Sequence, residues 1–537
     1  MNNTKKFEQY ALVLLLAMAT GCQKDINVLS KNEESPTPLP RVITEESLYA
    51  VIGEQQANPL SLEVIKEAFG RLDPKTKGDI ALEDIHATHK YIAFTPSNEN
   101  ELYAVLDIDE EDMLMFAYPP DYEMTDGLVV IDDRFKVNGF SYRWAYVPVD
   151  YDLSQVACPH KYYYDICSLE EMGQTKAGKS IPSDVVDAIE REAYALCGMD
   201  MIKTLQTKGS NVTPYGKVRF YDRDSSVYRG VEGLSIRTVR GLHSSYTHCN
   251  SDGTFVSSDS FKYAFRYEIH FSRTDFVIWE DESTDEIILT YSNYTGPLYI
   301  DFHDTITSFY ADISRAAIVY YYGNSQGLRR PPMKNDDFTS RLAIYARHGF
   351  LAGAGGKFVP VMDVPPAKYR PTIAIYRQSN NTNLFGDTQV YAATMHELGH
   401  ASHWRNNRTR YSETDTIVKE SFARGVEWIL TTAAYPSYSI EYLYSRRSYT
   451  GIVQDLIDGY GTKTAHMVTI TIPGADPYDI VSVSSYEDLV TGFTSTQVEE
   501  AARQSKTWSQ WQSYLINNNP NVANASDVSD AFDFWNS

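Results

Sequence analysis

The stretch His396-Glu397-Leu398-Gly399-His400 places two imidazoles and a carboxylate within five residues. On a helix, positions i and i+4 lie one turn apart on the same face. His396 and His400 can therefore offer ring nitrogens to one metal ion. Glu397 follows the first histidine and addresses a metal-bound water rather than the metal. Zinc held in this way lowers the pKa of its water, and the carboxylate moves the released proton to a leaving amine. The surrounding Val390, Ala392, Ala393, Met395 and Leu398 predict a helix with an apolar side. The alternative, two ordinary surface histidines on a helix, leaves the agreement of spacing, base and helix as coincidence.

A catalytic zinc takes three protein ligands and keeps one position open. His403 is close in sequence, but a rise of 1.5 Å per residue puts it about 10 Å along the axis from His396. The longer pattern H-E-x-x-H-x-x-G-x-x-H fails as well, with His403 at its glycine and Asn406 at its third histidine. A second helix is the better source. Ser412-Glu413-Thr414-Asp415 reads as an N-terminal capping signal, with a helix following from Ile417 to Leu430. It carries or borders four acids: Glu413, Asp415, Glu420 and Glu427. The first two fall where capping and the helix dipole favour acids in any case.

H-E-x-x-H followed by a glutamate on the next helix resembles the gluzincin metallopeptidases, of which thermolysin is the best known. Glu420-Ser421-Phe422-Ala423 looks like the E-x-x-A form of their third-ligand motif. The resemblance covers about residues 390–430. It implies a zinc cofactor held by His396, His400 and Glu420, with Glu397 as the catalytic base. Small Ala423 would let the second helix approach the first. Thermolysin-like enzymes carry an aspartate four residues after the ligand glutamate, and here that position is Arg424. The resemblance also implies an edge strand before the motif helix that holds substrate extended, a place expected for Thr372–Tyr376. A tyrosine or histidine further along stabilises the oxyanion in that family. Tyr435, Tyr438, Tyr442, Tyr444, Tyr449, Tyr460 and His466 are all available.

The chain opens on a leader. Lys5 and Lys6 precede the apolar run Ala11–Ala19, too short for a membrane span. Thr20-Gly21-Cys22 resembles a bacterial lipobox. It implies a signal peptide over 1–21, lipidation at Cys22 and a membrane attachment through that anchor. Gln23-Lys24-Asp25 resembles a signal for the outer cell surface. A polar, proline-punctuated tether over 22–44 cannot bury enough apolar surface to fold.

A chain of 537 residues exceeds one domain. A formal charge of −23 argues against nucleic acid as a partner. Of five cysteines, Cys158, Cys167, Cys197 and Cys249 remain after Cys22. Cys158 with Cys167 is a plausible local disulfide, and free buried thiols are the equal alternative. The expected fold class is α+β and multidomain. A mixed N-terminal region covers 45–205, with helices near 61–69 and 183–197 and strands at 89–94 and 140–147. Asp73–Asp84 imitates an EF-hand loop, but lysines at its third and fifth positions repel calcium. Period-two alternation from Tyr263 to Phe271, and the turn Asn250-Ser251-Asp252-Gly253, predict a β-sandwich over 212–282. Its T-x-x-x-x-D-G-x-F pattern resembles transthyretin-like modules. The metallopeptidase domain covers 285–537, with a helix at 304–322, strands at 341–345 and 372–376, a flexible glycine-rich loop at 349–356 and mostly helix after Trp428.

Together these features predict a zinc metallopeptidase anchored in the outer membrane and facing the exterior, with the periplasmic face as the alternative. Its substrate would be a protein, peptide or glycopeptide. The chain also resembles zinc metallohydrolase lipoproteins associated with nutrient import, which implies an outer-membrane import complex as partner. The competing reading is a surface lipoprotein that binds a protein or glycan without catalysis, for which Glu397 would have no use.

Overall fold

Four strands lie beneath the motif helix in the order Phe276–Glu280, Leu342–Phe350, Thr372–Gln378, Gly356–Val359. The first three run parallel and the last antiparallel. Buried Ile344, Ala346, Ile373 and Ile375 share one apolar core with Val390, Tyr391, Met395 and Leu398 of the motif helix (Asp387–Asn406). Fully buried parallel strands read as continuous apolar runs, which is how these stretches read. The computed structural model describes residues 40–537 except 44–47, 109–111, 170–180, 200–210, 282, 335–340, 352–354, 361–370, 381, 407, 441–443, 460 and 470–478. The leader, Cys22 and nearly all of the tether lie outside the described residues.

The described chain is mixed α and β, with several sheets and many helices, and Arg41–Ser537 forms one compact unit. Two sheets face each other across the middle of the chain. One contains Tyr215–Asp222, Val227–Gly230, Thr254–Val256, Leu298–Phe302 and Arg41–Ile43. The other contains His243–His248, Ser235–Arg240, Phe265–His270, Ile288–Tyr294, Gly127–Val129 and Tyr49–Ala50. Phe255 meets Tyr267 and Phe271 meets Phe302, with ring centroids 5.9 and 6.0 Å apart. The expected turn at Asn250–Gly253 is present. Gly253 has φ +86°, and a Cβ there would fall 2.1 Å from the Val218 carbonyl oxygen, so only glycine fits.

The sheets run across the boundaries expected at 205–212 and 282–285. Phe276–Glu280 joins the sheet under the motif helix, while Ile288–Tyr294 and Leu298–Phe302 join the sandwich. Arg41–Ile43 lies parallel to Leu298–Phe302, and Gly127–Val129 pairs with Ile288–Tyr294.

The N-terminal expectations hold closely. Helices span Leu62–Arg71 and Ser183–Leu196, and a strand spans His89–Phe94. The predicted strand at 140–147 is two strands, Phe140–Ser141 and Arg143–Pro148. Asp73 spends its oxygens on the amides of Lys75 and Thr76, capping a one-turn helix. Cys158 and Cys167 are both free and buried, in separate apolar clusters, so the local disulfide does not form. Among the described residues no helix is long and apolar enough to cross a membrane.

Toward the C-terminus, helices span Thr305–Tyr322, Thr416–Ala434, Ser495–Arg503, Trp508–Asn518 and Ala525–Asn536. Asp304 caps the first of these through the amides of Ile306 and Thr307. The expectation of mostly helix after Trp428 fails at a hairpin of Gly461–Thr469 with Asp479–Asp488. The glycine-rich stretch is also partly strand, since Leu342–Phe350 runs into it and Gly356 begins another.

A buried ionic network ties the sandwich to its neighbours. His270 Nε2 lies 3.1 Å from Glu268, which Arg237 approaches at 3.2 Å and to which Tyr118 donates. Burial alone would lower the His270 pKa, but its bonds to Glu268 and Glu286 outweigh that and raise it from 6.5 to about 9. A histidine raised on folding contributes stability that is fully present below 6.5 and is lost as pH rises through about 9. The denaturation midpoint should therefore fall between pH 7 and pH 9.5, measured by chemical unfolding. His270→Gln should flatten that slope; an equal slope in the variant would mean that other groups set it.

Candidate metal centre

The motif helix and the helix Thr416–Ala434 pack side by side, and their smallest residues face each other. A Cβ on Gly399 would lie 3.0 Å from Val426 Cβ and 3.3 Å from Ala423 Cα. That close approach brings Glu420 opposite His396 and His400. Its Oε2 lies 3.3 Å from His396 Nε2 and 3.1 Å from His400 Nε2. One ligand atom from each of these three residues lies within 4.8 Å of the others. Among the described residues no other group of His, Cys, Asp and Glu converges in this way.

The far side of each imidazole is also engaged. His396 Nδ1 is 3.0 Å from Glu427 Oε2, and His400 Nδ1 is 3.1 Å from the Tyr411 hydroxyl. A carboxylate accepts only, so Nδ1 of His396 carries the hydrogen. A neutral His396 ring then has its lone pair on Nε2, aimed at the Glu420 carboxylate. Lone pair and anion repel unless a proton or a metal ion stands between them. The donor set of two imidazole nitrogens and one carboxylate suits zinc, and its far-side partners fix the rings as metal-bound histidines require.

The electrostatics express the same demand. Burial lowers the His396 pKa, yet hydrogen bonds to Glu420 and Glu427 raise it to about 9. Glu420 is held far below the usual carboxylate range: burial opposes this, and the two histidines overcome it. Glu397 is buried, which raises its pKa against the opposing pull of His396 and His400. It stands outside the cluster of His396, His400 and Glu420. Its carboxyl group lies against the backbone of Gly356, where a Cβ would come within 2.6 Å of Glu397 Cγ.

Each residue expected from sequence has a definite place. His396, Glu397, His400 and Glu420 come together. His403 is buried between Tyr411 and Phe422, ring centroids 5.1 and 5.3 Å away, and takes no part in the triad. Asp415 begins the second helix but makes no side-chain capping bond, and Arg408–Glu413 forms a separate short helix. Exposed Glu413 pairs with Lys506 instead. The strand expected to lie at the sheet edge, Thr372–Tyr376, is interior. It pairs on both sides, and the edge is Gly356–Val359.

Sequence reasoning weighed Glu427 among four acids without finding its partner, and it missed Tyr411. Glu427 holds His396, and Arg424 holds Glu427 at 2.6 Å with help from the Tyr438 hydroxyl at 2.6 Å. Arg424 and Glu427 are thus an ion pair three residues apart on one helix. The signal was available: Glu420 and Glu427 lie seven residues apart, on nearly the same helical face. Tyr411 carries no sequence signal, because its contact with His400 depends on the turn between the two helices.

Of the tyrosines open for the oxyanion role, Tyr438 serves Glu427, Tyr435 binds Arg315 and Tyr444 binds Gln454. Tyr449 lies against the ligands. Its ring is 6.0 Å from His396, it hydrogen-bonds Glu420, and burial followed by Glu420 raises its pKa to about 12. The side chains of Tyr442, Tyr460 and His466 lie outside the described residues.

No protein-family model matches the chain, and no characterised protein matches it in sequence. Among solved structures, a 9R-lipoxygenase from Cyanothece is matched at 9% identity, over 58% of this chain and 48% of that one, with a TM-score of 0.11. A likeness that slight carries no argument about fold or function.

Removing a ligand and removing an orienting group should differ. Glu420→Ala should abolish tight zinc binding, while Glu427→Gln should weaken it about 10–100-fold. Glu413→Ala, at an exposed ion pair, should leave it unchanged. Competition with a chromogenic chelator reads all three. A Glu427→Gln affinity equal to that of the Glu413 control would remove Glu427 from the centre.

Proposed function

We propose that this chain is a zinc-dependent peptidase of the gluzincin type. The observation that carries the reading is the convergence of His396, His400 and Glu420 with a separate buried carboxylate, Glu397, against a sheet edge. Zinc bound by the three ligands would supply Lewis acidity and a water of lowered pKa. Glu397 takes the proton of the attacking water and gives it to the leaving amine nitrogen. Its burial raises its basicity toward that task. Tyr449, protonated at neutral pH and beside His396, donates to the oxygen that gains charge. The outer edge of Gly356–Val359 offers main-chain groups to an extended peptide, and Phe358 packs near His400 with ring centroids 6.2 Å apart.

The transthyretin-like character of the sandwich and the gluzincin-like character of the C-terminal region belong to the same reading. So do a protein or glycopeptide substrate, an outer-membrane position through lipidated Cys22 and an import complex as partner. The lipobox Thr20-Gly21-Cys22 supports the anchor.

Glu397→Gln should lower turnover of a peptide library by about 10²–10⁴-fold with zinc retained. Gly356→Ala should push the Glu397 carboxylate aside and cost about 10²-fold in kcat, again with zinc retained. Digest rates and metal content together decide both, and a zinc-loaded Glu397→Gln protein that still turns over would sink the mechanism. For location, the expressed protein should partition into detergent, and Cys22→Ala should release it to the aqueous phase. A Cys22→Ala protein that stays with the membrane would refute the anchor.

A further inference from the structure

A polar cavity of about 340 Å³ opens between the sandwich and the helix Thr305–Tyr322, away from the metal centre. Arg315 of that helix lies in its wall with a side chain only 12% exposed. One nitrogen, Nη1, makes both of its hydrogen bonds, to Asp312 at 3.3 Å and to the Tyr435 hydroxyl at 3.0 Å. Nε and Nη2 have no partner among the described residues. Asp312 is the ion-pair partner of this arginine. It is wholly buried, its Oδ2 lacks a partner, and burial followed by nearby Asp387 raises its pKa well above the usual range. The Arg315 guanidinium also lies over the rings of Phe220 and Tyr391, 5.0 and 5.5 Å from their centroids, so what it has left to offer is the pair of donors Nε and Nη2.

Three more cations line the same cavity. Arg219 spends Nε and Nη2 on Asp301, and Arg229 spends the same two nitrogens on Asp222 and Ser225, leaving Nη1 of each. Lys217 reaches only Asp252, at 3.5 Å. Each of the four cations has one acidic partner, and the N–H groups left over line one cavity in a chain whose formal charge is −23. The rest of the lining is of another kind. Tyr228 presents an aromatic wall, while Glu232, Asp252 and Ser251 offer carboxylate acceptors and a hydroxyl. A bare inorganic anion uses the donors alone. A hydroxylated organic anion uses donors, acceptors and ring together.

We infer that this cavity is a binding site for an acidic sugar, its carboxylate held by Arg315 and its hydroxyls by the groups around the rim. The guanidinium fork matches a carboxylate in bidentate geometry. The site stands independently of the hydrolase reading, since none of its residues belongs to the metal centre.

The test is calorimetric titration of the full chain with glucuronate, glucose and sulfate. Glucuronate should bind in the millimolar range, sulfate more weakly and glucose not at all. Arg315→Lys keeps the charge but loses the fork, and should weaken glucuronate about tenfold. Lys217→Ala, at a partly exposed position, should weaken it severalfold. If Arg315→Lys fails to fold, Lys217→Ala decides alone. Methyl glucuronide distinguishes sources: equal binding indicates the end residue of a glycan, and binding of glucuronate alone indicates the free acid. Glucuronate binding no tighter than glucose or sulfate, or undiminished in the folded variants, would overturn the assignment.

Discussion

The centre depends on how near two helices can come. Gly399 on one and Ala423 on the other remove the side chains that would hold the backbones apart, and Val426 fills what space is left. A bulkier pair would widen the gap and carry Glu420 away from both imidazoles. A metal held by these three residues would tolerate only a few tenths of an ångström of misplacement, which would make interhelical distance a chemical requirement as much as a packing one. Gly425 extends the same logic on the far face, where a Cβ would strike Val453.

Charge then locks what packing brings together. Four ionisable groups, His396, Glu420, Arg424 and Glu427, are largely withdrawn from water, which is costly unless each is paired. They are paired in sequence: Glu420 with His396, His396 with Glu427, Glu427 with Arg424. Arg424 looked like a defect where an aspartate was expected. It is one end of a different solution, in which the orienting carboxylate moves one turn along the helix and gains a guanidinium to steady it. Breaking any link strands a buried charge.

What the sequence revealed follows from the range of the forces involved. The convergence of His396, His400 and Glu420 was legible because helix geometry fixes i and i+4, and because Ala423 advertised a close helix approach. The caps at Ser61 and Asp304 and the turn at Gly253 were legible for the same local reason. Strand order was not. Thr372–Gln378 reads as an edge strand until Gly356–Val359 folds back beside it, a pairing that no periodicity encodes. The hairpin at 461–488 could have been found: Val468-Thr469-Ile470-Thr471-Ile472 precedes Pro473-Gly474, and β-branched runs around such a pair favour strands and a turn. Tyr411 and the sheet-crossing boundaries depend on tertiary placement alone.

The sandwich also sets an order of events for the nascent chain. Arg41 pairs with Ile300, Tyr49 with Leu128 and Leu128 with Leu289, so early strands wait for partners made far later. Until residue 302 has emerged, the apolar faces of these strands have nothing to cover them. Contacts of such long sequence separation slow folding and prolong exposure of sticky edges. The strands Arg41–Ile43 and Tyr49–Ala50 are therefore the ones most in need of protection during synthesis, although they lie far in sequence from the His396–His400 motif.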